Sequence, residues 1–163
     1  MRQLPEDPLP TLALLRALIN LTRDLKRNLV VEGLETPALI EVVQQLGAPL
    51  GQGYGIGRPM PVEDFPDWAA RFTLPVHFEQ ITTFAGALSR HWAWQHTHAT
   101  ILNTYADCPI TVFLRGRGLK DTAEVSQWHR CVHTTDGEDQ QACSDLVLDW
   151  LVMKVREEGV GIE

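Results

Sequence analysis

Nine of the ten prolines in this 163-residue chain lie at or before Pro75, and the tenth is Pro109. Proline fixes φ and lacks a backbone donor, so a helix tolerates it only in its first turn. The front of the chain must therefore be cut into short elements, whereas the back is free to form long helices. The stretch richest in breakers is GAPLGQGYGIGRPMP, from Gly47 to Pro61. Histidine and tryptophan are skewed the other way: all six His and four of the five Trp follow residue 75. These imbalances predict two units, residues 1–72 and residues 73–163.

Local signals subdivide each unit. In the front, Thr11 is an N-cap candidate for a helix reaching to Arg27, with Leu14, Leu15, Leu18, Ile19 and Leu21 near one stripe. Asn28–Val31 reads as a short buried strand. Thr36-Pro37 opens a helix that runs to Leu46 and stops at Gly47. Pro49–Tyr54 reads as a second strand, and Pro61–Phe72 as a short amphipathic helix. Helix, strand, helix, strand, helix is a consecutive slice of a parallel α/β fold. In the back, Phe84, Leu88 and Trp92 recur at four-residue steps, which predicts one long helix over 76–102. A short helix, Ile110–Arg115, ends at Gly116 and Gly118. Asp121 with Glu124 suggests a capping box for a helix reaching to His133. A last helix, Asp139–Glu158, carries Cys143, Leu146, Leu148, Trp150, Leu151, Met153 and Val155. The fold class expected is an α/β fragment followed by an all-α antiparallel helical bundle, predominantly α.

Composition narrows the function. A net charge of −7 and a pI of about 5.3 argue against a DNA or RNA binder, which needs clustered Lys and Arg. No apolar run reaches the ~18 residues of a membrane span, and the start MRQLPEDPLP lacks a signal-peptide core. Three widely spaced cysteines, Cys108, Cys131 and Cys143, speak against a disulfide framework and for a cytoplasmic location. Cys131 and Cys143 then read as small buried hydrophobes. Trp94, Trp128 and Trp150 read as core aromatics, and Asp136, Glu138 and Asp139 as a solvated loop.

Four segments of the front unit carry a resemblance: Val31-Glu32-Gly33-Leu34-Glu35-Thr36, Leu46-Gly47, Gln52-Gly53-Tyr54 and Gly57-Arg58-Pro59-Met60-Pro61. In order and spacing they resemble the end of an EAL domain, the cyclic-di-GMP phosphodiesterase family; Val31 and Leu34 are conservative departures. The resemblance implies the last β/α units of a TIM-like barrel, with sites at the C-terminal ends of strands. It places Glu32 in the metal and substrate site, Glu35 in the loop that orders it, and Gln52 beside bound nucleotide. It covers roughly residues 3–70, whereas a complete barrel needs about 200–250 residues. The family's remaining metal-binding carboxylates, its Asn and its site lysine belong upstream. The resemblance therefore implies no phosphodiesterase activity for this chain alone. Mg²⁺ or Mn²⁺ and cyclic-di-GMP would be bound only by the full barrel, with upstream EAL or GGDEF-type domains as partners. A lone slice of barrel exposes apolar faces, to be covered by exchange between chains or by docking on the helical part.

In the back unit His129 and His133 lie one turn apart on one helix face, a common way to present two imidazoles to a metal. His91-Trp92-Ala93-Trp94 and Cys108-Pro109-Ile110-Thr111-Val112-Phe113 precede them. The order H-x-x-W, C-x-x-x-x-aromatic, H-x-x-x-H is similar to the chemoreceptor zinc-binding (CZB) domain, a helical bundle. Thr111 and Phe113 stand where that family has Gly and Trp, and 17 residues separate His91 from Cys108. The resemblance implies a Zn²⁺ site of His91, Cys108, His129 and His133, with Cys108 as a redox-sensitive thiolate. The residues alone leave open that these histidines are hydrogen-bonded core or surface groups, or that His96 and His98 belong to another ligand set. Cys131, two residues from His129, points away from that face.

Together these readings suggest a regulatory C-terminal part of a cyclic-di-GMP signalling protein. The alternatives are a metal-free structural or dimerisation module, a homodimer in that case, and a fragment that completes a barrel with another chain.

Overall fold

A computed structural model of the chain describes residues 4–74, 79–97 and 104–161. It is predominantly helical, with seven helices and one two-stranded sheet among the described residues.

Helix α1 (Pro8–Asp24) starts three residues before the predicted cap, with Pro8 in its first turn. Thr11 lies inside the helix and its hydroxyl donates to the Asp7 carbonyl at 2.7 Å. The helix ends in a reversal at Lys26, the one described non-glycine residue with positive φ. There the N–H groups of Lys26 and Arg27 reach back to the carbonyls of Arg23 and Thr22. The face it buries is Leu12, Leu15 and Ile19, while Leu14, Leu18, Leu21 and Leu25 are exposed. The predicted stripe thus mixed two faces of a helix that is apolar on both.

Strand β1 (Val30–Val31) pairs in parallel with β2 (Leu50–Gly51), in the register Val30 to Leu50 and Val31 to Gly51. Between them runs α2 (Pro37–Gln45), so this segment is a βαβ unit. Thr36 caps α2 by accepting from Leu39 N–H, and Gly47 ends it with positive φ, both as predicted. The strands are shorter than predicted, because the backbone bonds beyond them become turns: Gln52 N–H donates to Val31, Leu34 N–H to Gln52, and Gly55 N–H to Leu34. Gly53 is required there, since a Cβ would overlap the backbone of Leu34. Helix α3 (Phe65–Arg71) buries no residue and is held by Trp68 stacked between Phe65 and Phe72.

Four further helices follow among the described residues: α4 (Phe84–Thr97), α5 (Pro109–Gly116), α6 (Glu124–Thr134) and α7 (Gly137–Glu158). Helix α4 packs against both α2 and α7, and α7 packs against α6. Phe84, Leu88 and Trp92 are buried, as their spacing predicts. The predicted helix 76–102 is shorter where it is described: residues 79–83 are not helical, and α4 begins at Phe84. The remainder of the prediction, with His98, lies outside the described residues. One hydrophobic cluster runs without a break from Leu12 and Ile19 through Leu39 and Val43 to Leu88, Val147, Leu151 and Val155. Leu146 and Met153 are exposed, so α7 buries a narrower stripe than its apolar content suggests. Trp128 and Trp150 are half-buried against the core, and Phe84 meets Phe113 and Trp150 edge-on.

Two expectations are corrected here. Helix α6 has no capping box: Ala123 occupies the N-cap position, and the Asp121 carboxylate is held by Arg115 at 2.8 Å and Arg130 at 3.2 Å. Those guanidiniums keep the Asp121 carboxyl below its ordinary pKa, Arg115 foremost. Cys131 and Cys143 are not separate small hydrophobes but a disulfide joining α6 to α7, with Cα atoms 6.1 Å apart. The α6–α7 turn is tight enough to bring them together, because Gly137 takes positive φ and α7 starts two residues earlier than predicted. The acidic residues Asp136, Glu138 and Asp139 are exposed, but Glu138 and Asp139 belong to the first turn of α7, where they suit the helix dipole.

Candidate metal centre

Cys108 sits at the N-cap of α5, placed there by Pro109 at the first helical position. His129 and His133 project from α6 one turn apart, and their rings meet edge-on at 4.9 Å. The ligand atoms of Cys108, His129 and His133 all lie within 4.8 Å of one another. Cys108 Sγ is 3.3 Å from His129 Nε2. In a tetrahedral zinc site with Zn–S of about 2.3 Å and Zn–N of about 2.0 Å, the S···N edge would be about 3.5 Å. The pair is thus already spaced to share one ion.

Burial disfavours charge on these side chains while no cation is bound. Burial pushes the Cys108 thiol pKa up, opposed by the N–H groups of Ile110 and Thr111 at the start of α5. Burial also holds His129 well below the usual imidazole range, reinforced by His91 and His133. Dry surroundings thus keep the ring neutral, with a proton on one nitrogen and a free lone pair on the other. His129 Nδ1 is buried without a hydrogen-bond partner among the described residues. Tyr105 shields the cluster, its ring 5.9 Å from His129 and 6.0 Å from His133, with Arg130 stacked on its face at 4.6 Å.

His91 is fully buried on α4 and its ring lies 6.2 Å from that of His129. Its Nε2 lies 3.1 Å from the Ser144 carbonyl and 2.9 Å from the Ser144 hydroxyl on α7. Burial lowers its pKa to about 4. His91 is therefore next to the three-residue group but turned to Ser144. His96 is exposed, stacks on Trp92 at 4.1 Å and contacts the Trp92 carbonyl, away from the cluster. Trp94 is half-buried, its ring 5.6 Å from that of His91.

In the front unit, Glu32 follows β1 and Gln52 follows β2, and the backbone bonds among Val31, Leu34 and Gln52 hold the two strand ends side by side. Glu35 lies in the same loop. All three side chains are exposed.

The sequence reading missed two buried polar groups. Ser144 has no motif around it, and its role is visible only once α4 lies on α7. Glu41 of α2 is fully buried and accepts from Thr82 N–H at 2.7 Å, the Thr82 hydroxyl at 2.9 Å and the Thr83 hydroxyl at 2.8 Å. Thr83 in turn caps α4 by accepting from Gly86 N–H at 3.0 Å. A glutamate amid apolar helix positions was the available hint. Its partners lie 41 and 42 residues away, beyond any local pattern.

No family model matches the chain, and no solved structure matches it. Among curated proteins, the oxygen sensor protein DosP of Escherichia coli K12 is 37% identical over 57 residues, 35% of this chain and 7% of DosP. A protein of the same strain named "Probable cyclic di-GMP phosphodiesterase PdeN" is 38% identical over 58 residues, 36% of this chain and 11% of PdeN. The chain thus spans about a tenth or less of the length of these relatives, one of which is by name a probable cyclic-di-GMP phosphodiesterase. No helix among the described residues is long and apolar enough to cross a membrane.

Proposed function

We propose that this chain is a C-terminal regulatory part of a cyclic-di-GMP signalling protein and that its helical portion binds Zn²⁺. The observation that carries the metal reading is the convergence of Cys108, His129 and His133 from two helices on one point. One cysteine sulfur, which loses its proton on binding, and two neutral imidazoles are a donor set that suits zinc over hard cations. His91 is the proposed fourth ligand, released from Ser144 on binding. Residues 1–72 are the proposed EAL-type portion, with Glu32, Glu35 and Gln52 as its remnants of a nucleotide site, and residues 73–163 the regulatory portion. The chain alone is proposed to be without hydrolytic activity. Phosphodiester cleavage with Mg²⁺ or Mn²⁺ needs more carboxylates than these strand ends offer.

Zinc analysis of the purified, zinc-loaded chain tests the metal reading, with one Zn²⁺ per chain expected and a sharp loss in Cys108→Ser. Zinc well below one per chain, unaffected by that substitution, refutes it. His91→Ala separates a four-ligand site from a three-ligand one by weakening zinc affinity.

One observation favours a second reading, in which the front unit completes a barrel supplied by another segment or chain. Val30 and Leu50 leave the sheet face exposed, and Leu14, Leu18, Leu21 and Leu25 form an exposed stripe with 4-3-4 spacing. A homodimer through this surface is the form that light scattering at rising concentration detects.

A further inference from the structure

The Cys131–Cys143 disulfide lies beside the metal centre without belonging to it. Cys131 is two residues from His129 and two from His133, about 200° around α6, so it ties down the helix face opposite the ligands. Cys143 directly precedes Ser144, which holds His91. The bond therefore braces α6, which presents two of the converging ligands, against α7, which positions the candidate fourth. Both cysteines are half-buried rather than enclosed, so a reductant reaches the bond. Helices α6 and α7 also pack along their length, and at the turn the Gln140 amide donates to the carbonyls of Val132 at 2.8 Å and Thr135 at 3.0 Å.

We propose that Cys131 and Cys143 form a reversible redox site, reduced by dithiols, whose disulfide state raises the affinity of the neighbouring centre for Zn²⁺. The inference rests on the zinc reading above. In the reductive step a dithiol's thiolate attacks one sulfur and breaks the S–S bond. Its second thiol then resolves the mixed disulfide. The dithiol leaves as a disulfide, and the protein pair gains two electrons and two protons. The disulfide state is the one in which the ligands are gathered. Opening it lets the end of α6 that carries His133 move relative to α7, so part of the binding energy goes into gathering the ligands again. By linkage, zinc must favour the disulfide by the same factor.

The test uses the full 163-residue chain in both redox states. Thiol titration verifies each state, with one free thiol in the disulfide form and three in the dithiol form. Zinc affinity is measured by competition with a chromophoric chelator after the reductant is removed. The expected result is binding about tenfold tighter in the disulfide form, in the usual range of coupling between sites. Zinc should shift the equilibrium of the pair with glutathione by the same factor. The double variant Cys131→Ser/Cys143→Ser should bind like the dithiol form, with the same affinity before and after treatment with the dithiol. Equal affinity in the two states, or tighter binding by the dithiol form, overturns the inference and leaves the zinc reading intact. Failure of both states to bind zinc overturns both.

Discussion

Glu41 is the clearest place to probe how the two portions are joined. Its carboxylate, fully buried, takes hydrogen bonds from three donors at the start of α4 and places an acceptor at that helix's positive end. Each such bond to a charged acceptor is worth about 1.5–3 kcal/mol, and the three are not additive. Glu41→Ala also leaves the donors unpaired and a void, so a net loss of about 3–5 kcal/mol is expected. Gly86 supplies the control. A Cβ there would overlap the Glu41 carboxyl group, so Gly86→Ala should cost about 1–3 kcal/mol in the parent protein. With Glu41 already truncated the overlap disappears, and alanine in mid-helix should stabilise by about 0.5–1 kcal/mol relative to glycine. Gly86→Ala should therefore change sign between the two backgrounds. Urea unfolding of the four proteins in the cycle measures this directly. The argument is refuted if Gly86→Ala is equally destabilising in both backgrounds, or if Glu41→Ala costs under about 1 kcal/mol.

Other outcomes follow from single features. His91 is neutral in the fold, with a pKa of about 4 against an ordinary 6.5, so its contribution is present above pH 6.5 and lost as the pH falls toward 4. The metal-free chain should lose roughly 2 kcal/mol between pH 7.5 and pH 5 from this group, and His129 adds in the same direction; flat urea midpoints over that range would contradict the assignment. Opening the Cys131–Cys143 bond, which closes a 12-residue separation, should cost about 3 kcal/mol by loop entropy, read as a lower urea midpoint under a phosphine reductant. Gly53→Ala should destabilise by about 2–3 kcal/mol through its overlap with Leu34, and hydrogen exchange at Leu34 and Gln52 should accelerate with it.

Elements bounded by local signals were legible in the sequence. Helix α2 runs between Thr36-Pro37 and Gly47 because cap, proline and terminator all act within a few residues. Helix α4 was drawn too long toward its N-terminus because its real start depends on Glu41, a partner that local pattern cannot supply. The phase of α1 was ambiguous, since leucines occupy both its buried and its exposed face and periodicity cannot rank two apolar sides. In the candidate site, the chain order of Cys108, His129 and His133 anticipated their meeting. The orientation of His91 toward Ser144 arises from the packing of α4 on α7 and leaves no local mark. The disulfide was hidden by its own arithmetic: three cysteines permit one bond and one free thiol, but do not say which.

The Thr36 hydroxyl caps α2 and also donates to the carbonyl of Val160 at 2.8 Å, just past the end of α7. At 22 residues α7 is about 33 Å long. One end of this rod is bolted to α6 beside His129 and His133, and the other is latched to the loop that bears Glu32 and Glu35. Tilting it about its midpoint by roughly 3–4° carries each end about 1 Å, a geometric consequence of that length. The Cys131–Cys143 bond beside the candidate metal centre and the strand ends that bear Glu32 and Gln52 therefore sit at the two arms of a single lever.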